Sequence, residues 1–144
     1  MLSNQDVLRI ALEQSAIDSA CAPEDFMRGK GVAVISREDP RARRYLTLPF
    51  DLDLTSYGTN ALASCSETLL DVAKAYIDRF PAEHCFETPN LHVLMDALRP
   101  HGLDICFMAE YWLPDVDLLR ALPCPYETKI LEPTDFAELY LPEW

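Results

Sequence analysis

Residues 103–113, LDICFMAEYWL, are apolar and aromatic almost throughout and stop at Pro114. The run is too short to span a membrane and too rich in β-branched and aromatic residues to be an ordinary loop, so it predicts a central strand. Further strands are expected upstream. Residues 31–36, GVAVIS, are short and β-branched and predict a buried strand. In residues 45–54, YLTLPFDLDL, alternation puts Leu46, Leu48, Phe50, Leu52 and Leu54 on one face, the period of a half-buried strand. Pro49 cannot donate to a ladder, so that strand is expected at an edge or bent. A turn at Tyr57-Gly58-Thr59-Asn60 then leads to a short strand in ALASC, residues 61–65.

Helical signals surround these strands. Ser3 and Asp6 form a near capping box, and Val7, Leu8, Ile10, Ala11, Leu12 and Ile17 fall mostly on one helical face. Pro23, followed by Glu24 and Asp25, opens a second short helix. A helix capped by Ser66 runs to Phe80, before Pro81, and another capped by Thr88 ends at Pro100 and Gly102. Downstream of the central run, DVDLLRAL (115–122) predicts a short helix, PYETKIL (125–131) a strand and Phe136 to Leu141 the first turns of a last helix. The fold class expected is α+β, a mixed α/β arrangement with a twisted, mainly antiparallel sheet flanked by helices.

The chain has 144 residues and a formal charge of −12, which excludes a bulk nucleic-acid binder because phosphate affinity rests on cationic side chains. The first twenty residues lack the charged and apolar regions of a signal peptide, and no apolar run reaches membrane-spanning length, so a cytoplasmic protein without membrane partners is expected. Cys21, Cys65, Cys85, Cys106 and Cys124 are scattered, with no C-x-x-C pair, and read as free thiols.

Charge is unevenly distributed. Arg28, Lys30, Arg37, Arg41, Arg43 and Arg44, six of the twelve basic residues, lie within seventeen positions beside only Glu38 and Asp39. The patch suits either a phosphate-bearing molecule or acidic partner, or a solvated loop paired with nearby carboxylates. Gly29 and Gly31 have the spacing of a phosphate loop, but a strand follows where a helix N-terminus is needed. His84, His92 and His101 lack the short spacings of a closed zinc site, so no metal ligand is assigned. Glu110, inside an apolar strand, either faces solvent or is a buried carboxylate suited to base chemistry. Arg43, Arg44, Tyr57, Glu110 and Tyr111 are the candidate substrate or interface contacts, chosen by residue type and expected strand-end or loop position.

Residues 126–140, YETKILEPTDFAELY, resemble the first strand and helix of the GNAT superfamily of acetyl-CoA-dependent N-acetyltransferases. RARRYLTLPFDLDLTSYGTN, residues 41–60, and HCFETPNLHVLMDALRPHGLDICFMAEYWLPDVDLLRALPCPYE, residues 84–127, are similar to bacterial members in which an extra domain precedes the acetyltransferase domain, as is LYLPEW at 139–144. The resemblance implies an accessory domain over residues 1–122 and the start of a truncated GNAT domain over 123–144, a GNAT-like half domain. It implies acetyl-CoA as cofactor of the full-length relative and a downstream acetyltransferase domain as partner. The family's pyrophosphate loop, (Gln/Arg)-x-x-Gly-x-(Gly/Ala), is missing: FMRGKG has Phe26 at its first position. No catalytic or cofactor-binding residue is therefore assigned, and the chain alone is expected to be inactive. The alternative is a self-sufficient binding module, with a homodimer as its simplest form.

Overall fold

In the computed structural model, which describes residues 2–136, helical layers cover both faces of a small sheet. Strand β1 (Val32–Ile35) and strand β2 (Leu52–Ser56) flank a central β3 (Ala61–Cys65), in the order β1-β3-β2. β1 runs parallel to β3, with Val32 opposite Leu62, and β2 antiparallel, with Leu52 opposite Cys65. The mixed α and β composition expected from sequence is present. The sheet, though, is mixed, with one parallel and one antiparallel pair, rather than mainly antiparallel.

β3 takes the centre because its side chains are small enough to be buried on both faces. Ala61, Ala63 and Cys65 face helices α2 (Leu70–Arg79) and α3 (Thr88–Leu98), in a core with Leu69, Ala73, Tyr76, Ile77, Leu94 and Leu98. Leu62 points to the other face, against Ala16 of helix α1 (Asn4–Ser19) and Phe26 of a 3-10 turn (Pro23–Met27). Ser64 is wholly buried, and its hydroxyl donates to the Ser19 carbonyl at 2.8 Å, so the one polar side chain in the strand's interior is satisfied. Gly31 enters β1 where α2 crosses closest: a Cβ there would lie 2.9 Å from Ile77 Cγ1. The β2–β3 hairpin turns at the expected Tyr57-Gly58-Thr59-Asn60, with Gly58 at φ 93°, where a side chain would be strained.

Several expectations are corrected. Residues 103–113 form no strand. Leu103 and Ile105 pack against the core, and the rest of the run is exposed, with no ladder partner. The physical reason is that β3 already occupies the centre, and an apolar run without a paired neighbour has nowhere to satisfy its backbone as a strand. Of residues 45–54 only Leu52 onward is strand; Tyr45 and Leu46 sit in turns, with Leu46 N–H donating to the Arg43 carbonyl, and Phe50 N–H donates to the Ser36 hydroxyl instead of to a strand. Residues 115–122 make one turn, closed by Leu118 N–H to the Asp115 carbonyl, in place of a helix. Residues 125–131 are exposed and not a strand; a 3-10 turn covers Pro133–Phe136, and the rest of the expected last helix lies outside the described residues.

The first helix is present with its capping box, and its buried face combines part of the apolar stripe, Leu12 against Ala16, Phe26 and Leu62, with small and polar residues that the stripe does not include. Ser15, Ala16, Asp18 and Ser19 are buried, whereas Val7 and Leu8 are half-buried and Ile10 is 48% exposed. The cap of α3 is Glu87, with Thr88 and Pro89 in the first turn, one residue earlier than expected.

Candidate functional site

Two surfaces gather the functional candidates. The first lies where α1, the 37–45 loop and the end of β2 meet. The loop is held down because Asp18, 5% exposed, accepts from the Arg43 backbone N–H at 3.0 Å and from Gln14 Nε2 at 3.0 Å through the same oxygen. Its other oxygen, Oδ2, has no hydrogen bond of good geometry and faces Arg43 Nε as an ion pair at 3.1 Å. The Arg43 guanidinium continues to the Tyr45 hydroxyl at 3.3 Å and to the Ser15 hydroxyl at 3.5 Å, and Ser15 shares a 2.8 Å hydrogen bond with Tyr57. Tyr57 also stacks edge-on against Phe26, with ring centroids 5.3 Å apart.

This electrostatics is that of a tie. Burial works to lower the Arg43 pKa, but the Tyr45 hydrogen bond and the charge of Asp18 outweigh it, so the guanidinium is held above its ordinary value. On β2, burial pushes the Asp53 carboxyl up, Thr55 Oγ1 donating at 2.9 Å opposes the shift, and the charge of Asp18 adds to it. Arg43 has its donors engaged, Ser15 has no imidazole beside it, and Cys21 nearby is pushed up to about 12 by burial and by Asp25, far from a thiolate at neutral pH. The arrangement anchors a loop and does not activate a nucleophile.

Arg43 and Tyr57 are thus brought together through Ser15, while Arg44, Glu110 and Tyr111 are exposed and stand outside the cluster. Sequence reasoning missed Ser15, Asp18 and Asp53. The available signal was SAIDSA, residues 15–20, a small-residue stretch able to lie close against a sheet. Of the six clustered cations, Arg28 pairs with Asp25 at 2.9 Å, Arg41 with Asp39 at 2.6 Å and Arg43 with Asp18. Among the described residues Lys30, Arg37 and Arg44 are exposed and enter no ion pair. Among the same residues no three His, Cys, Asp or Glu side chains lie together as a metal set.

The second surface is the strap that follows α3. It leaves the core after Ile105 and is fastened again at α1: Asn4 Nδ2 donates to Asp115 at 2.8 Å and to Asp117 at 3.3 Å, and Val116 N–H donates back to Asn4 Oδ1 at 2.8 Å. Between these two attachments Phe107 is 73% exposed, Tyr111 75% and Trp112 86%. Leu118, Leu119, Leu122, Tyr126 and Ile130 extend the exposed apolar character beyond the clip. Scattered apolar residues on a surface are ordinary, but a contiguous aromatic and aliphatic run marks a contact surface.

Comparison with known proteins returned no matching family model, no matching curated protein and no matching solved structure. No helix among the described residues is long and apolar enough to cross a membrane.

Proposed function

We propose that this chain is a non-catalytic binding module whose contact surface is the strap around Phe107 to Leu113. The observation that carries the reading is the exposure of Phe107, Tyr111 and Trp112 on a segment fastened at both ends, by Ile105 in the core and by Asn4 on α1. Fastening limits the conformational entropy lost on binding, so an exposed aromatic run held this way is better prepared for a partner than a free tail. Five free cysteines, Cys65 and Cys85 among them buried as apolar groups, favour the cytoplasm.

The sequence resemblance gives the strap one occupant. As the accessory part of a GNAT-type acetyl-CoA-dependent N-acetyltransferase, a GNAT-like half domain, the chain docks on a downstream acetyltransferase domain or shapes its acceptor site. Calorimetric titration with acetyl-CoA tests this: the chain alone should give no heat of binding, and the chain joined to an acetyltransferase domain should bind. Binding by the chain alone would sink the non-catalytic reading and direct attention to Lys30, Arg37 and Arg44.

A second occupant, another copy of the chain, is favoured by the coexistence of an acidic, aromatic strap and exposed, unpaired cations on one molecule. In that form the module is self-sufficient and has no enzymatic activity.

A further inference from the structure

The sheet ends in two edges, and they differ. Ser36 N–H donates to the Cys65 carbonyl at 2.8 Å, so alternation along the parallel pair turns the backbone of Val32 and Val34 toward β3 and that of Ala33 and Ile35 away from it. Among the described residues neither the N–H nor the C=O of Ala33 and Ile35 has a backbone partner. β1 is half-buried where β3 is buried throughout, as a strand is when helices cover its faces and its side stays open. A row of outward N–H and C=O groups is matched in spacing by the backbone of another extended segment.

The edge of β2 is defended in a way that β1 is not. There Leu52 and Leu54 turn outward, since Ser66 N–H donates to the Asp51 carbonyl, but Asp51 and Asp53 stand beside and within the strand. Charged side chains blunt an edge against pairing. β1, Val-Ala-Val-Ile, has none. Ile35 is half-buried without belonging to either core cluster, so its apolar surface is open to a neighbour across the edge. Two cations bracket the strand: Lys30 and Arg37 are exposed and enter no ion pair among the described residues. Glu38 follows Arg37 and is exposed too, which leaves Lys30 the stronger of the two.

We propose that the outer edge of β1 takes an extended acidic segment of a partner protein as a fourth strand. The segment runs antiparallel to β1, exchanges both backbone hydrogen bonds with Ala33 and with Ile35, lays an apolar residue beside Ile35 and sets carboxylates at Lys30 and Arg37. The inference goes beyond the strap and does not depend on it. Four residues of edge, roughly 13 Å long, give far less contact than the roughly 1,600 Å² of a standard protein–protein interface, which favours a peptide over a second copy.

Hydrogen exchange read residue by residue by NMR on the full chain tests this, with the capped peptide Glu-Glu-Thr-Val-Thr-Val-Glu-Glu as probe. In the free protein the Ala33 and Ile35 amides should exchange faster than those of Val32 and Val34. Peptide at about ten times its Kd should slow them about tenfold and leave the other two unchanged. Lys30→Glu, at an exposed position that leaves folding intact, should weaken binding about fivefold at low salt, and more than Arg37→Glu does. Methyl groups on the two valine nitrogens, which face β1 in this register, should remove the protection. Equal binding by the methylated peptide or by one with Lys in place of Glu, protection confined to β2 or to residues 107–113, or no protection at millimolar peptide would overturn the proposal. Protection of Ala33 and Ile35 without peptide, together with a dimer in sedimentation velocity, would assign the edge to a second copy and overturn it as well.

Discussion

Arg43 Nε stands 3.1 Å from Asp18 Oδ2, and Asp18 is among the most buried charged side chains of the described residues. The pair joins the 37–45 loop, which has no regular structure, to helix α1. Arg43→Ala would leave the Asp18 carboxylate buried without a counter-charge. Because Arg43 is itself partly exposed, the cost should fall below that of a fully buried pair, about 2 kcal/mol. Urea unfolding measures it, and Asp18→Asn in the same chain should recover part of the loss, since a neutral amide has no charge to strand.

Asp53 should make stability fall with rising pH. Its folded pKa lies above the ordinary aspartate value of 3.8 because it is buried and near Asp18. Between the unfolded and folded values the native state holds the extra proton, so stability is greatest below the window and declines through it. Asp53→Asn should flatten that decline, with a gain at pH 7 and none at pH 3, as measured by thermal unfolding across pH.

Gly31 should not tolerate a side chain. The Cβ of Gly31→Ala would meet Ile77 Cγ1 at 2.9 Å and Ile77 Cβ at 3.1 Å, contacts that rotation of the side chain cannot fully relieve. Overpacking of this kind costs about 1–3 kcal/mol. Ile77→Ala, destabilising by itself, should make the additional cost of Gly31→Ala much smaller, and a double-mutant cycle reads that coupling.

The Asn4 clip should govern access to the strap more than it governs global stability. Its hydrogen bonds to Asp115, Asp117 and Val116 are exposed, so Asn4→Ala should cost about 1 kcal/mol or less. Chymotryptic cleavage between Phe107 and Leu113 should nevertheless become faster, because the clip holds one end of that segment. An unchanged cleavage rate in Asn4→Ala would show that Asn4 does not control the strap.

Much of the body was legible in the sequence because its signals are local. The Ser3 and Asp6 capping box, Pro23 and Pro89 in first helical turns and the hairpin turn at Gly58 each depend on neighbours within a few residues, and each lies where it was expected. Burial of ALASC was legible only in part: the sequence marks a strand, and only its two covered faces make it the central one.

The site was less legible for the same reason. Arg43 and Tyr57 could be chosen by residue type, but Ser15, which joins them, and Asp18, which fixes Arg43, lie 28 and 25 residues from Arg43 and carry no motif. Residues 103–113 show the limit most plainly. Apolar composition determined that this run gains by leaving water, since hydrophobicity is a property of the side chains alone. Whether it is covered as a strand in its own sheet or exposed as a strap depends on a hydrogen-bonding neighbour. The tertiary structure, by placing β3 at the centre and Asn4 at the strap's far end, decided for exposure.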